Sequence, residues 1–185
     1  MKFVEAIDQS EVAKLGAVIK EKSFRNYVIF YTGIYCTLRI SDILNLKVSD
    51  IYDNGKIKNR LIIKEQKTKK IKDTIINRKM RCIFADYIST LDNIRPEDFL
   101  FQNKEGKALN RMTAYYFIKD ACRKLKIENV ATHSLRKTGA TALYNQTKSI
   151  LDCKTLLNHS SSAITERYLR IDRQKIDSAL EAINF

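Results

Sequence analysis

Six side chains stand out for the chemistry they could do together. Arg39 lies in Thr37-Leu38-Arg39-Ile40-Ser41-Asp42, just ahead of a short helical pattern. Lys67 sits in Gln66-Lys67-Thr68-Lys69-Lys70. His133 and Arg136 occur in Thr132-His133-Ser134-Leu135-Arg136, a spacing that puts both on one face of a helix. His159 follows in Leu156-Leu157-Asn158-His159-Ser160-Ser161, and Tyr168 ends Thr165-Glu166-Arg167-Tyr168. Cutting a phosphodiester without a metal requires a nucleophile held in line with phosphorus. It requires fixed cations at the non-bridging oxygens, for which the arginine fork is suited. It also requires an acid for the leaving oxygen. One Tyr, two Arg, two His and one Lys would meet these needs. The chain has only two histidines, so a His-rich metal site is excluded, and no clustered Asp/Glu set stands ready for Mg²⁺.

The elements that must position these groups are mostly helical. Apolar Val12, Leu15, Val18 and Ile19 recur at helical spacing over 10–20. Residues 26–36 are apolar nearly all round, the pattern of a buried helix. Residues 41–46 fit a short helix capped near Ser41. Asp53-Asn54-Gly55 is a turn signal. Residues 60–64 and 71–76 read as strands flanking a basic tip at 65–70, with Lys67 at that tip. Helices are predicted over 78–90, from the Asn110 cap to 124, and over 133–146, 150–158 and 161–168. In the tail, 172–183, Ile176, Ala179, Leu180 and Ile183 space as an amphipathic helix. The expectation is a mainly α fold with one small antiparallel β-sheet, an α+β arrangement.

Charge narrows the class. The 185 residues carry 34 Lys and Arg against 21 Asp and Glu, net +13, and 44% hydrophobic residues argue for a folded domain rather than a basic tail. Residues 52–81 alone hold 11 basic and 3 acidic side chains, net +8. Such a surplus faces a polyanion. No apolar run approaches the roughly 20 residues that cross a bilayer, and the N-terminus has no signal-peptide core. With no Cys-x-x-Cys pair, Cys36, Cys82, Cys122 and Cys153 read as reduced core thiols. A bland alternative exists for most of these groups. Arg39 could simply pair with Asp42, the basic tip could be a solvated face, and Lys64, Lys69 and Lys70 compete with Lys67 for any special role.

In order and spacing, Arg39, Lys67, His133-x-x-Arg136, His159 and Tyr168 resemble the catalytic domain of the tyrosine recombinases, the phage-integrase family, whose chemistry is similar to that of type IB topoisomerases. The likeness runs from about residue 5 to the end. It implies that Tyr168 is the nucleophile forming a 3′-phosphotyrosine link, and that Arg39 and Arg136 clamp the scissile phosphate. It implies Lys67 as the acid for the 5′-hydroxyl, His133 as acceptor of the tyrosine proton and His159 as a donor to a phosphate oxygen. Asp42 falls where the family often has a supporting acid. No cofactor and no metal are implied. The partner is double-stranded DNA, with a homo-tetramer on paired sites and a monomer when free, and the setting is the cytoplasm of a bacterium or a phage host. Asn158 stands where the family usually has Gly before the last His, and Thr37 where it often has Gly before the first Arg. Asn tolerates the left-handed backbone better than most residues.

The expected organisation is one catalytic domain over 1–185, without the N-terminal core-binding domain usual in the family. It fits a natural minimal recombinase, a fragment of a longer integrase or a remnant. The competing function is a DNA-binding accessory or inactive integrase fragment that occupies sites without cleavage. An RNA-binding role has little support, for want of an aromatic stacking motif. The tail either docks on a neighbouring protomer, as in the family, or folds back on its own core.

Overall fold

A computed structural model describes residues 4–170 and 180–183. It consists of two compact units, 1–139 and 140–185. Among the described residues no helix is long and apolar enough to cross a membrane. The tail reading, 172–183, lies outside the described residues except for 180–183.

The first unit begins with α1 (Gln9–Lys22), whose N-cap Asp8 accepts a bond from Ser10 N. α2 (Phe24–Tyr35) is capped by Ser23 and buries every residue from Val28 to Ile34. Its nearly all-round apolar surface is matched by burial on all sides. Two short helices follow, α3 (Ile40–Leu44) and α4 (Val48–Ile51). The cap of α3 is Arg39, not Ser41 as expected, and it makes no side-chain cap bond. Arg39 is extended, and its carbonyl accepts from Asp42 N and Ile43 N. That leaves its guanidinium for other work.

The strands form two two-stranded antiparallel sheets rather than one. β1 (Tyr52–Asp53) and β2 (Lys56–Ile57) flank the Asn54-Gly55 turn, where both residues take positive φ. β3 (Arg60–Lys64) and β4 (Ile71–Ile75) pair in the register Leu61 with Thr74 and Ile63 with Lys72. Alternation sends Leu61 and Ile63 to the core face, with Lys72 and Thr74 opposite them. The same alternation carries Glu65, the first residue past β3, inward. α5 (Arg78–Ile88) and α6 (Arg111–Lys124) complete the packing, with Asn110 capping α6 as its sequence suggests. The core centres on Phe30, Phe84, Phe101, Leu15 and Ile29, all fully buried.

α7 (Thr132–Thr147) enters this unit through its first two turns, with Ser134 to Thr138 buried. Close approach to α2 depends on Gly139. A Cβ there would lie 2.0 Å from the Ile34 carbonyl oxygen and 2.7 Å from Thr37 Cγ2. In the second unit, α8 (Ile150–Leu157) and α9 (Ser162–Leu169) are capped by Ser149 and Ser161. Ala140, Cys153, Leu157 and Leu169 form a small core, with Tyr168 packed against it. Three cysteines are buried as expected, but Cys82 is exposed on α5, contrary to its reading as a core thiol.

Candidate active site

In the first unit the two candidate arginines meet on one carboxylate. Arg39 Nη1 lies 2.6 Å from Glu65 Oε1, and Arg136 Nη1 lies 3.5 Å from the same oxygen. Glu65 is 0% exposed, and its other oxygen, Oε2, accepts a 2.5 Å bond from the Thr68 hydroxyl. Burial alone would push its carboxyl up. The Thr68 bond and the positive charges of Arg39, Arg136 and Lys72 outweigh that and hold it below the ordinary value. Arg39 therefore pairs with Glu65 from the hairpin, and not with the nearer-in-sequence Asp42.

Asp42 does a different job. Its Oδ1 accepts from Gln66 N at 2.8 Å, and its Oδ2 is buried without a hydrogen-bond partner. Burial, with Glu65 nearby, raises its pKa. Two consecutive residues of the hairpin tip, Glu65 and Gln66, are thus fastened to the region of α3. Lys67, next in line, is exposed.

His133 is also at the surface. Desolvation of its ring and the positive charges of Arg111, Arg136, Arg39 and Lys67 hold its pKa below the ordinary imidazole value. A neutral imidazole is competent to accept a proton. Lys67 of the tip is among the cations that act on this ring.

Beneath the arginines lies Lys72, 2% exposed, with Nζ 3.3 Å from Thr37 Oγ1. Burial, then Arg136, push its pKa down to about 8. Thr37 itself has φ +50, a left-handed conformation that is a genuine outlier for a β-branched side chain. This is where the resemblance flagged an absent Gly. The Thr37 hydroxyl donates to Cys36 O at 2.8 Å, which helps hold the turn into Arg39.

The second unit places His159 and Tyr168 together. Their rings are edge to face, 5.5 Å between centroids at 85°. His159 Nδ1 is 3.1 Å from Thr165 Oγ1, whose hydroxyl also lies 3.3 Å from Ser161 O. Thr165 has one hydrogen to donate. If it goes to Ser161 O, His159 donates from Nδ1–H and its Nε2 donates outward only as the imidazolium; if it goes to Nδ1, the neutral ring carries its hydrogen on Nε2 and donates outward from there. Asn158 takes φ +54 and ψ +34, the left-handed end of α8 that the sequence left open to Asn. The arrangement therefore gathers Arg39, Lys67, His133 and Arg136 in one unit and His159 with Tyr168 in the other.

Sequence reading passed over Glu65, Lys72, Arg111 and Thr165. For Glu65 a signal existed, since it is the lone carboxylate in the basic tip and shares strand parity with Leu61 and Ile63. Lys72 and Arg111 act on groups distant in sequence, whereas Thr165 meets His159 from within the same short stretch. Among the described residues, no three His, Cys, Asp or Glu side chains gather as a metal site.

The family model described as "Phage integrase family" matches residues 5–175. The chain belongs to that family. This integrase-family chain is 33% identical over 181 residues to the probable integrase/recombinase YoeC of Bacillus subtilis, covering 97% of this chain and 96% of YoeC. It is 27% identical over 188 residues to the tyrosine recombinase XerH of Campylobacter jejuni, covering 97% of this chain but 49% of that relative. A crystal structure of a XerH site-specific recombinase, bound to a palindromic difH substrate in a post-cleavage complex, matches with a TM-score of 0.77. That match is at 20% identity over 98% of this chain and 54% of the other. The fold is that of the tyrosine recombinases, mainly helical with small antiparallel sheets.

Proposed function

We propose that this chain is a site-specific DNA recombinase that cleaves and rejoins strands through a 3′-phosphotyrosine intermediate. The observation that carries the reading is the grouping of Arg39 and Arg136 on one carboxylate, beside His133 and the tip that bears Lys67. In cleavage, the Tyr168 hydroxyl proton passes to His133 as the tyrosine oxygen bonds to phosphorus. The bond from phosphorus to the 5′ oxygen breaks, and Lys67 gives that oxygen its proton. Arg39, Arg136 and His159 meet the charge on the non-bridging oxygens. Rejoining runs the same steps backwards with a 5′-hydroxyl as nucleophile, so the bond energy is kept in the protein–DNA link and no ATP is consumed. The arginine and histidine donors would supply the charge stabilisation that a metal supplies elsewhere, as in type IB topoisomerases.

The partner is double-stranded DNA, and the working form is a tetramer on paired sites assembled from monomers, in the cytoplasm of a bacterium or phage host. The XerH structure bound to a palindromic difH substrate supports the choice of partner. The test is a pool of nicked duplexes of randomised sequence, incubated with the protein and then with SDS. A covalent adduct bearing a free 5′-hydroxyl is expected, and Tyr168→Phe should abolish it. Duplex binding without any adduct would instead mark an accessory protein that occupies sites without cutting. An adduct that survives Tyr168→Phe would overturn the nucleophile assignment.

A further inference from the structure

We propose that Glu65 is a positioning residue that ties the phosphate clamp to the hairpin delivering the acid, so that Arg39, Arg136 and Lys67 act on one phosphate as a unit. This rests on the recombinase reading above. Glu65 Oε1 faces both guanidiniums, at 2.6 Å and 3.5 Å, while Oε2 is held from behind by Thr68 at 2.5 Å. Its backbone belongs to the same tip. Its amide donates to Lys70 O at 2.9 Å, and its carbonyl accepts from Lys69 N at 3.0 Å.

A carboxylate that merely stood in for an absent phosphate would sit at the open side of the arginines and move aside. Glu65 is instead fully buried, on the inward strand parity, with its second oxygen locked. It holds the arginines from the protein side. Lys67 lies two residues along the chain from this anchor, with Gln66 N pinned to Asp42 Oδ1 between them. A guanidinium shift and a hairpin shift are therefore the same movement. Glu65 touches no reacting atom in this account.

The chemistry offers a readout that a purely structural role would not move. When the 5′ bridging oxygen is replaced by sulfur, the leaving group departs as a thiolate and needs no proton, because a thiol is far more acidic than an alcohol. Glu65→Gln keeps the side chain's size and its bond to Thr68 but removes its charge. With the oxygen substrate, adduct formation should fall about 100-fold, in the range of a lost acid. With the sulfur substrate the loss should be at least tenfold smaller, on the order of 10-fold or less. Glu65→Asp, which keeps the charge, should lie between Gln and wild type on the oxygen substrate. Equal losses on both substrates, or no loss, would overturn the proposal.

A second measurement stands apart from catalysis. Amide hydrogen exchange at Gln66 and Lys69 of the DNA-free protein should quicken by about tenfold in Glu65→Gln, while thermal unfolding stays cooperative. Unchanged exchange would overturn the coupling even if the wild type forms no adduct. A wild type without adduct whose variant does show faster exchange would overturn the recombinase reading and keep the Glu65 tie.

Discussion

Lys72 sits in an environment foreign to its type. It occupies the core face of a hairpin, opposite Ile63, at a position where alternation calls for an apolar side chain. Its pKa is pushed down from 10.5 to about 8, so the folded protein resists its charge. Between about 8 and 10.5 the unfolded chain binds the proton more tightly than the folded one, and in that window stability should rise with pH. Buried Cys36, pushed up to about 12, acts in the opposite sense above its ordinary value of 9.0, since the unfolded thiol then ionises while the folded one does not. The contribution of Lys72 is therefore read as a difference. From pH 7.5 to pH 10, the urea midpoint of wild type should gain on that of Lys72→Met, whose unbranched side chain does not titrate. Parallel midpoints across that range would show that Lys72 is not desolvated. Its burial was illegible in the sequence because Lys in a basic run reads as solvated. What turns it inward is the register, together with a hydroxyl on Thr37, 35 residues away.

At the scale of elements, the pieces set by local chemistry were legible and those set by distant neighbours were not. β3 falls on 60–64 as alternation predicts, and α6 starts at the Asn110 cap, because both signals act within a few residues. The α3 cap was misplaced by two residues because Arg39 caps with its backbone, leaving Ser41 inside the helix. The candidate residues were readable by type and order, but the carboxylate that joins two of them was not, since a pair 26 residues apart leaves no periodic trace. Two variants test how elements present the site. Gly139→Ala gains about 1 kcal/mol in helix propensity. Its Cβ, however, would meet the Ile34 backbone oxygen, which cannot rotate away. The clash should win, with a net loss of about 1–3 kcal/mol in chemical denaturation. A stabilised variant would mean that α7 does not approach α2 this closely. At Asn158, where φ is +54, Gly should be tolerated within about 1 kcal/mol, whereas Val should cost about 1–2 kcal/mol. Equal stability of the Gly and Val variants would refute a left-handed turn before His159.

Over the whole molecule, the charge surplus of +13 is organised rather than diffuse. The 52–81 stretch carries both the anchored Lys67 tip and exposed Lys64, Lys69 and Lys70. The tip should therefore do two things on duplex DNA: contribute one side chain to a phosphate and several to the general field. Replacing Lys69 and Lys70 together with Gln should lower the slope of log affinity against log salt by about 1–2, near 0.9 for each phosphate no longer neutralised. The adduct yield at saturating protein should be little changed. A slope that does not move would place those lysines off the DNA.

The thiols add a practical consequence. Of the four cysteines, Cys36, Cys122 and Cys153 are buried with their ionisation suppressed, whereas Cys82 lies exposed on α5. A maleimide dye at neutral pH should therefore attach at one position without any engineering. The chain carries its own attachment point for a fluorophore, well suited to following its encounter with DNA in real time.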